Sequence, residues 1–422
     1  MTSTQAPVSI RAEFPILGEM VGGHPLTYLD NAATTQKPRA VLRALMEYYT
    51  TANSNIGRGY YDLSRQATDC YESAREAVRR WLNARTADEI VFTRGTTDGM
   101  NLLAEVLGRR KVGVTDTVVI TGMEHNSNFL PWRRLCERVG ADLVVVATDD
   151  NGQVHLSDFV AALDNHPRTQ IAAIGHVSNV LGSVAPVAEM VAEAHRRNVL
   201  TVVDGAQAAP HRPIDVQELD ADFYCFSGHK VYGPMGIGVL YGKREYLHEL
   251  PPYQVGGGTV KGVSYTERVA YVPVPARLEA GTPDVAGAVG LAAALAYVSS
   301  LGWDLVRRQD ELLVRTAVEA LREVPRVRVI GDPAGDPNGI VSFVVDGVHP
   351  YDVGGHLDRR GIAVRSGVHC ASTFLDHLGL VGTVRMSFAV YNTVEEIERV
   401  RDALRTVAPG EWTRERPTTR FV

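Results

Sequence analysis

The sequence predicts an α/β fold: a large domain built on a mostly parallel, seven-stranded sheet, followed by a smaller α+β C-terminal domain. Short apolar runs alternate with helical patterns from about Glu89 to Gly242, as in a parallel sheet covered by helices on both faces. The pattern changes from about Gly302, where a long helical segment precedes further strand and helix patterns. A chain of 422 residues is long enough for two or three domains.

The strands of the large domain are predicted from apolar runs that are rich in Val and Ile and end at Gly or polar residues. These runs are DTVVITG, ADLVVVAT, TQIAAIGHVS, LTVVDGA, ADFYCFS and IGVLYG, and we interpret all of them as buried strands. The strand EIVFT, which precedes RGTTDG, is the seventh. The segment VAEMVAEAHRRN predicts an amphipathic helix that ends near Asn198. Ligands of such sheets bind beyond the carboxyl ends of the strands, where the sequence carries EHNSN, HVSN, DGAQ and SGHK.

The second half of the chain begins with a Gly- and Pro-rich region, PPYQVGGGTVKG and then YVPVPARLEAGTPD, which predicts loops that cover the site. The uncharged stretch from Val285 to Trp303 is built from Ala, Gly and Ser, so we interpret it as a closely packed core helix rather than a membrane span. The predicted boundaries are an N-terminal extension at 1–20, the large domain at 21–300, the small domain at 301–410 and a tail at 411–422. The N-terminal segment is expected to pack on the small domain.

Composition limits the expected partners and location. A net charge of −6 and a pI near 6.1 provide no basic field for nucleic acid or anionic lipid, so neither is expected as a partner. Four widely spaced cysteines without a CxxC pair predict reduced thiols and no metal site. Because the N-terminus also lacks the pattern of a signal peptide, we expect a cytoplasmic protein.

The motif SGHK contains a candidate nucleophilic lysine, Lys230. A lysine that forms a Schiff base needs a lowered pKa, which burial and polar neighbours can supply. Ser227 and His229 stand where a hydroxyl and an imidazole could hold a phosphate beside it. A lysine that follows a strand is otherwise usually a surface charge, so this motif needs support from elsewhere in the chain.

Further support comes from Asp204, at the end of the apolar strand TVVD. A carboxylate is costly there unless it is paired, and the protonated pyridine nitrogen of pyridoxal 5′-phosphate (PLP) would pair it and keep the ring an electron sink. Gln207 could then reach the ring hydroxyl. The alternative is an Asp that caps the next helix.

Two other segments fit the same cofactor. His125 ends another apolar strand, where it could stack on the ring and transfer protons, or be an ordinary strand-end histidine. The segment RGTTDG at 94–99 opens a helix with free N–H groups and hydroxyls, which suits an anion, although an ordinary capping turn would have the same sequence.

The order of these motifs resembles a known family. The resemblance is carried by RGTTDGMN, MEHNSNFLPW, HVSNVLGS, VDGAQAAPH, FSGHKVYGPMGIGVLYG, EAGTPD, VRSGVHCAS and VRMSFAVYNT. The chain resembles the class-V, fold-type I PLP-dependent transferases, and among them the cysteine desulfurases of the sulfur-mobilisation (SUF) type, from about Phe14 to Leu404.

The resemblance implies a role for each matching residue. Lys230 would bind PLP covalently, Asp204 would bind the pyridinium nitrogen, His125 would stack on the ring and Gln207 would contact the ring hydroxyl. Thr97, Ser227 and His229 would hold the phosphate, joined by Thr282 from the partner of a homodimer. The substrate L-cysteine would contact Asn179, Arg365 and Arg385, and also Arg58, which could cross between subunits. A sulfur-acceptor protein would be a further partner.

Cys370 suggests which reaction the site performs. It lies in the polar loop RSGVHCAS, whereas Cys225 lies within the apolar run FYCFS and is predicted to be structural. Arg365 and His369 could favour its thiolate. Cys370 is therefore the candidate nucleophile, and the resemblance implies that it takes sulfur from L-cysteine as a persulfide and releases alanine. Its short spacing to Arg385 is similar to the compact loop of SUF-type enzymes.

Several residues depart from the family pattern and keep alternatives open. Gly57 and Tyr61 stand where histidines are usual, Asn126 replaces a second histidine, and Asp98 replaces a glutamate; Ser372 and Thr373 also differ. Other reactions on the same fold are therefore alternatives, namely a selenocysteine or cysteine-sulfinate lyase, a C–S lyase, an epimerase or an enzyme of specialised metabolism. A non-catalytic scaffold that binds a sulfur-transfer partner is a different class of alternative.

Overall fold

The computed structural model describes residues 8–57, 59–266 and 268–407. The predicted tail at 411–422 and the first seven residues of the predicted N-terminal extension lie outside these ranges. Within them the strands, in chain order, are β1 (Met20–Val21), β2 (His24–Pro25), β3 (Thr27–Tyr28), β4 (Ile90–Thr93), β5 (Thr117–Thr121), β6 (Asp142–Val146), β7 (Thr169–Gly175), β8 (Leu200–Asp204), β9 (Phe223–Ser227), β10 (Gly238–Gly242), β11 (Val260–Gly262), β12 (Ala270–Tyr271), β13 (Val327–Ile330), β14 (Ile340–Val345), β15 (Ile362–Ala363), β16 (Arg365–Gly367) and β17 (Thr383–Ser387).

The α-helices of the same residues are α1 (Val8–Ala12), α2 (Arg39–Thr51), α3 (Asp62–Trp81), α4 (Thr96–Leu102), α5 (Arg109–Lys111), α6 (Asn126–Val139), α7 (Leu156–Asn165), α8 (Val187–His195), α9 (Val216–Leu219), α10 (Arg244–Glu249), α11 (Val285–Leu301), α12 (Trp303–Arg322), α13 (Pro350–Asp358), α14 (Ser372–His377) and α15 (Val394–Leu404). A π-helical segment, Leu103–Gly108, joins α4 to α5.

The large sheet has seven strands in the order β4-β10-β9-β8-β7-β5-β6. The five strands β5 to β9 are parallel to one another, and β10 is antiparallel to both β4 and β9. The prediction of a mostly parallel α/β sheet is therefore confirmed. The carboxyl ends of β4, β5, β7, β8 and β9 consequently lie along one edge, which is where the candidate residues follow.

One strand differs from its prediction. The run ADLVVVAT was interpreted as a buried strand, but β6 lies at the edge of the sheet and most of it is partly or fully exposed, including Val145. An edge strand has only one neighbouring strand and less cover, so an apolar composition does not by itself establish burial on both faces.

The uncharged stretch after Asp284 forms α11, which packs against α2 and α3. Gly290 allows the close approach to α2, because a Cβ there would lie only 2.9 Å from Cδ2 of Leu45. Among the described residues no single helix is long and apolar enough to span a membrane. Only α11 and α12 taken together would be long and apolar enough, and the chain bends by 79° between them. Most of α11 is buried inside this chain, in agreement with a core helix.

The C-terminal part contains a four-stranded antiparallel sheet in the order β13-β14-β17-β16, packed against α12, α13 and α15. The N-terminal segment contacts this part, because β3 pairs in parallel with β15 and Arg11 forms an ion pair of 3.0 Å with Glu396.

The two parts meet beside the polar edge of the large sheet. Ser342 of β14 donates a hydrogen bond of 2.6 Å to the carbonyl of Val180, and Arg385 of β17 donates one of 2.7 Å to the carbonyl of Asn179. Both carbonyls belong to the loop that follows β7. Side chains of β17 are therefore brought to the carboxyl end of the large sheet.

Candidate active site

A cavity of about 210 Å³ lies at the carboxyl edge of the large sheet. Ten of the candidate residues line it, from both parts of the chain: Thr97, His125, Asn179, Asp204, Gln207, Ser227, His229, Lys230, Arg365 and Arg385. The carboxyl ends of β4, β5, β7, β8 and β9 lie at this edge, which is why residues from widely separated motifs meet there.

Lys230 is the last residue of a 3-10 turn, Gly228–Lys230, that directly follows β9. Desolvation by the surrounding protein lowers the pKa of its amine to about 8, and the nearby Asp204 carboxylate opposes that shift. About a tenth of such an amine is deprotonated at pH 7, far more than for an ordinary lysine, and this fraction can act as a nucleophile or base, as a Schiff-base lysine requires.

Asp204 is the last residue of β8, and its Oδ1 accepts a hydrogen bond of 2.9 Å from the backbone N–H of Ala206. Burial raises the pKa of this carboxyl, while the charge of Lys230 acts in the opposite direction. Because the carboxylate is buried at the cavity wall with one backbone donor, a cationic ring N–H in the cavity would complete its pairing.

Two buried amide oxygens at the cavity lack a hydrogen-bond partner among the described residues, namely Oε1 of Gln207 and Oδ1 of Asn179. Each amide is fixed through its nitrogen: Gln207 donates to the carbonyl of Ala32 at 2.9 Å, and Asn179 donates to the carbonyl of His369 at 2.7 Å. A buried acceptor without a donor costs about 1–3 kcal/mol. Both oxygens are therefore suited to donors on a bound molecule.

A cradle of hydroxyls and backbone N–H groups lines the other end of the cavity. The Ser227 hydroxyl accepts a hydrogen bond of 2.9 Å from the N–H of Thr96, the first residue of α4. Thr97 and Ser127, the second residues of α4 and α6, share a hydroxyl hydrogen bond of 2.6 Å. Helix N-termini with hydroxyl side chains stabilise anions, so this cradle fits a phosphate. Sequence reasoning missed Thr96 and Ser127, although both lie inside the quoted motifs.

His125 immediately precedes α6, and its Nδ1 accepts a hydrogen bond of 3.0 Å from the N–H of Ser127. Burial, followed by the charges of Lys230 and Arg365, lowers the pKa of the imidazole to about 3. The ring is therefore neutral, and because Nδ1 is an acceptor its proton is on Nε2. A neutral, oriented imidazole at the cavity wall suits stacking on an aromatic ring.

His229 precedes Lys230 and also faces the cavity. Burial, and then the charges of Lys230 and Lys37, lower the pKa of its imidazole to about 4. Its backbone carbonyl accepts hydrogen bonds from the hydroxyls of Thr34 and Thr35 at 3.0 and 3.2 Å. These contacts fix the short turn that carries Lys230.

Arg385 and Arg365 bring two guanidinium groups to the same cavity. Arg385 is buried and donates to Oδ1 of Asp30 at 2.9 Å, while its Nε has no partner among the described residues. Arg365 is half-buried on β16. Paired guanidinium groups suit a carboxylate, because each can donate to it in a fixed geometry. Sequence reasoning missed Asp30, which lies far from Arg385 in the chain.

Cys370 is half-buried and its Sγ accepts a hydrogen bond of 3.4 Å from Nη2 of Arg365. Its loop is held against the large sheet, because its carbonyl accepts a hydrogen bond of 2.7 Å from the N–H of Asn126. His369 and Cys370 both have positive φ angles, 53° and 56°. This backbone conformation is uncommon for residues with side chains, and the surrounding contacts must stabilise it.

The expectation that His369 would act on the thiol is not met by the structure. Its Nε2 is 2.8 Å from the Thr383 hydroxyl and its Nδ1 has no partner among the described residues, so the imidazole makes no hydrogen bond to Cys370. Burial lowers the pKa of His369 well below its usual value, so the ring is neutral. The adjacent left-handed residues turn the imidazole into the small domain, away from the sulfur.

Two candidate residues lie elsewhere. Thr282 is exposed and lines a different cavity together with Arg94 and Asp98, so it does not reach Lys230 within one chain. Its contact with a second subunit stays a prediction. Arg58 lies outside the described residues.

Sequence reasoning also missed Glu124, which lines the cavity next to His125. Its carboxyl accepts hydrogen bonds from the Thr121 hydroxyl, from the N–H of Gly175 at 2.5 Å and from the Asn128 amide at 2.8 Å. Burial raises its pKa to about 8. A charged residue three positions after the apolar strand β5 was the available signal, but only the neighbouring His125 was chosen as a candidate.

The residues present fit PLP. A nucleophilic amine, a buried carboxylate, a neutral imidazole and an anion cradle surround one cavity, and Gln207 offers a buried acceptor without a partner. Among the described residues no group of three or more His, Cys, Asp or Glu side chains could hold a metal ion.

Comparison with known proteins gives one family. The aminotransferase class-V family matches residues 27–400. A cysteine desulfurase of Synechococcus elongatus is 46% identical over 95% of this chain, which spans 63% of the length of that longer protein. A cysteine desulfurase of Enterobacter sp. is 45% identical over 94% of this chain and 97% of its own length.

A solved structure agrees with these relatives. The apo structure of a cysteine desulfurase from Thermococcus onnurineus NA1 superposes with a TM-score of 0.89. It is 39% identical in sequence, and the match covers 96% of this chain and 98% of the other.

Proposed function

The chain belongs to the aminotransferase class-V family, whose enzymes depend on PLP, and we propose that it is a cysteine desulfurase. The substrate is L-cysteine, and the products are L-alanine and a persulfide on Cys370. The observation that carries this proposal is the contact between Arg365 and the Sγ of Cys370, because it places a thiol beside the cavity that contains Lys230.

The cavity residues divide into groups by the part of PLP that each would hold. Lys230 would bind the cofactor covalently, and Asp204 would pair with the ring nitrogen. His125 would stack on the ring, with Gln207 at the ring hydroxyl. The phosphate would lie in the cradle that contains Thr97, Ser227 and His229. Bound PLP supplies an electron sink that labilises the bonds at the substrate Cα.

Lys230 is the residue suited to move protons. Its Nζ has a pKa of about 8, so near neutral pH it can accept the proton from the substrate Cα and later return one to the product. Arg385 is held by Asp30 and fixed against Asn179, so it can orient the substrate carboxylate without moving. Arg365 lies between this carboxylate site and the thiol.

Cys370 performs the sulfur transfer. Its Sγ forms a bond with the substrate sulfur while the Cβ–S bond breaks, and the electron pair of that bond stays with the carbon. Protons then convert the carbon skeleton to L-alanine, and the sulfur remains on Cys370 as a persulfide. Atoms and electrons balance without an added reductant, since sulfur is transferred and not released as sulfide.

We also propose a cytoplasmic homodimer that passes its sulfur to an acceptor protein. The dimer is supported by the resemblance, which assigns Thr282 to the phosphate, and by the position of Thr282, which is exposed and lines a cavity other than the one around Lys230. The four free cysteines, with Cys370 half-buried at the site, fit a reducing compartment.

The proposal is tested by incubating the PLP-loaded protein with L-cysteine. We expect alanine and protein-bound persulfide in equal amounts in the first turnover, with the added sulfur on the Cys370 peptide in a mass spectrum. Pyruvate and free sulfide in place of alanine would identify a C–S lyase, and the absence of any product would favour another substrate.

A further inference from the structure

A buried ion pair outside the cavity joins α3 to the loop before α11. The Glu279 carboxylate accepts two hydrogen bonds from Arg75, from Nη1 at 2.7 Å and from Nη2 at 2.9 Å. It accepts two more, from the Tyr71 hydroxyl at 3.0 Å and from the N–H of Phe92 at 2.7 Å. Only 3% of the Arg75 side chain and 8% of the Glu279 side chain are exposed.

The remaining contacts of Arg75 make this pair a rigid connection. Its Nη1 also donates to the carbonyl of Ile90 at 2.8 Å, its Nε donates to the Glu72 carboxylate at 3.0 Å, and its guanidinium lies about 5 Å from the rings of Tyr71 and Phe92. A buried ion pair is stable only where hydrogen bonds compensate for desolvation, and here the carboxylate has four donors. The connection joins α3, β4 and the loop after Leu278.

The loop that is held in this way carries Thr282, three residues after Glu279. The segment contains Gly281 in a left-handed conformation, with φ of 92°, and Gly281 donates a backbone hydrogen bond of 2.8 Å to Gly257. Such a Gly-containing, exposed segment would lose considerable conformational entropy on ordering. A buried anchor just before it reduces that cost, which is the general effect of preorganisation.

We infer that Arg75 is a positioning residue: its ion pair with Glu279 holds the loop so that Thr282 reaches the cofactor phosphate of a second subunit. The inference rests on the proposed function and on the dimer proposed with it. Arg75 contacts no residue of the cavity around Lys230 and acts only through the loop.

The test measures PLP binding to cofactor-free protein, by titration with PLP and a visible absorption readout. Arg75→Lys keeps the charge and removes the bidentate contact, so we expect the Kd for PLP to rise about tenfold, as for one lost hydrogen bond to a charged group. Arg79→Lys is the matched control. Arg79 also lies on α3 and bonds both oxygens of one carboxylate, at 2.8 and 2.9 Å, but its partner is Glu76 and not the loop. This control should bind PLP with an unchanged Kd.

A double-mutant cycle separates positioning from general destabilisation. Thr282→Ala should weaken PLP binding, and adding Arg75→Lys to it should cause no further weakening, because the contact through which Arg75 acts is already absent. Additive losses would overturn the inference. An unchanged Kd in Thr282→Ala would remove the assignment of Thr282, and with it the inference. The proposed reaction is judged separately, by alanine formation in the unaltered protein.

Tyr71→Phe repeats the test if Arg75→Lys does not fold. It removes one hydroxyl donor to Glu279 and leaves the ring beside Arg75. We expect a weakening of PLP binding in the same direction but smaller, about threefold. The inference is overturned if Tyr71→Phe, with an unchanged melting temperature, binds PLP as tightly as the unaltered protein.

Discussion

The guanidinium of Arg365 donates a hydrogen bond of 3.4 Å to the Sγ of Cys370, and the same guanidinium lines the cavity of Lys230. A cationic donor stabilises sulfur as a thiolate, which is its nucleophilic form. The loop is also fixed by the hydrogen bond from Asn126 to the Cys370 carbonyl. The thiol is therefore held beside the cavity by contacts from both parts of the chain.

Removing this donor should make the thiol less reactive. In Arg365→Gln we expect iodoacetamide to alkylate Cys370 about fivefold more slowly, because the cationic hydrogen-bond donor that contacts the sulfur is absent. Peptide mass spectrometry measures the rate, and Cys70, which is also half-buried, provides the internal control. An unchanged rate at Cys370 would show that Arg365 does not activate the sulfur.

Lys230 should titrate well below an ordinary lysine. In cofactor-free protein we expect its acylation by a small reagent to rise with a midpoint near pH 8, because only the deprotonated amine reacts. An ordinary lysine has a pKa of about 10.4. In Asp204→Asn the midpoint should move to lower pH, since the carboxylate favours the protonated amine. A midpoint near 10, or a shift to higher pH in Asp204→Asn, would contradict the electrostatics described here.

Asp204 should be required for turnover more than for cofactor retention. Asp204→Ala leaves the amine of Lys230 and the phosphate cradle in place, so some PLP should remain bound, but turnover of L-cysteine should fall by at least ~10²-fold. Asp215→Ala is the control, because that carboxylate caps α9 and accepts a hydrogen bond from Asn83, both outside the cavity. Near-normal turnover in Asp204→Ala would mean that the ring nitrogen has another partner.

The proposed dimer predicts that activity and association change together. Sedimentation of the active protein should show a dimer, and dilution that dissociates it should also release PLP, because Thr282 would no longer reach the phosphate. A monomer that sediments alone and retains full activity would rule out a site shared between subunits.

The parallel sheet explains why so much of the site could be predicted. The parallel strands all end at the same edge, so polar residues at or just after these ends, Asp204 and Lys230 among them, are near one another whatever lies between them in sequence. The order of the motifs along the chain was therefore enough to predict that these residues are neighbours.

What could not be predicted depends on contacts between segments far apart in the chain. Asp30 binds Arg385, and Arg75 binds Glu279 at the start of the 279–284 loop. No local sequence pattern indicates either contact, because only the tertiary fold brings the partners close. The expectation that His369 acts on the thiol was wrong for a similar reason, since the amino-acid composition of the loop does not predict its left-handed backbone. Of the two neighbours expected to act on Cys370, Arg365 contacts the sulfur and His369 does not.

The central claim, that Cys370 accepts the sulfur of L-cysteine, is tested most directly by Cys370→Ser. This variant keeps every residue of the cavity around Lys230, so it should bind PLP, remain yellow and change its spectrum when L-cysteine is added. It should form alanine at least ~10²-fold more slowly than the unaltered protein, with no persulfide, because the group that accepts the sulfur is absent. Cys70→Ser is the control and should retain activity. Alanine formation by Cys370→Ser at near the normal rate would contradict the account.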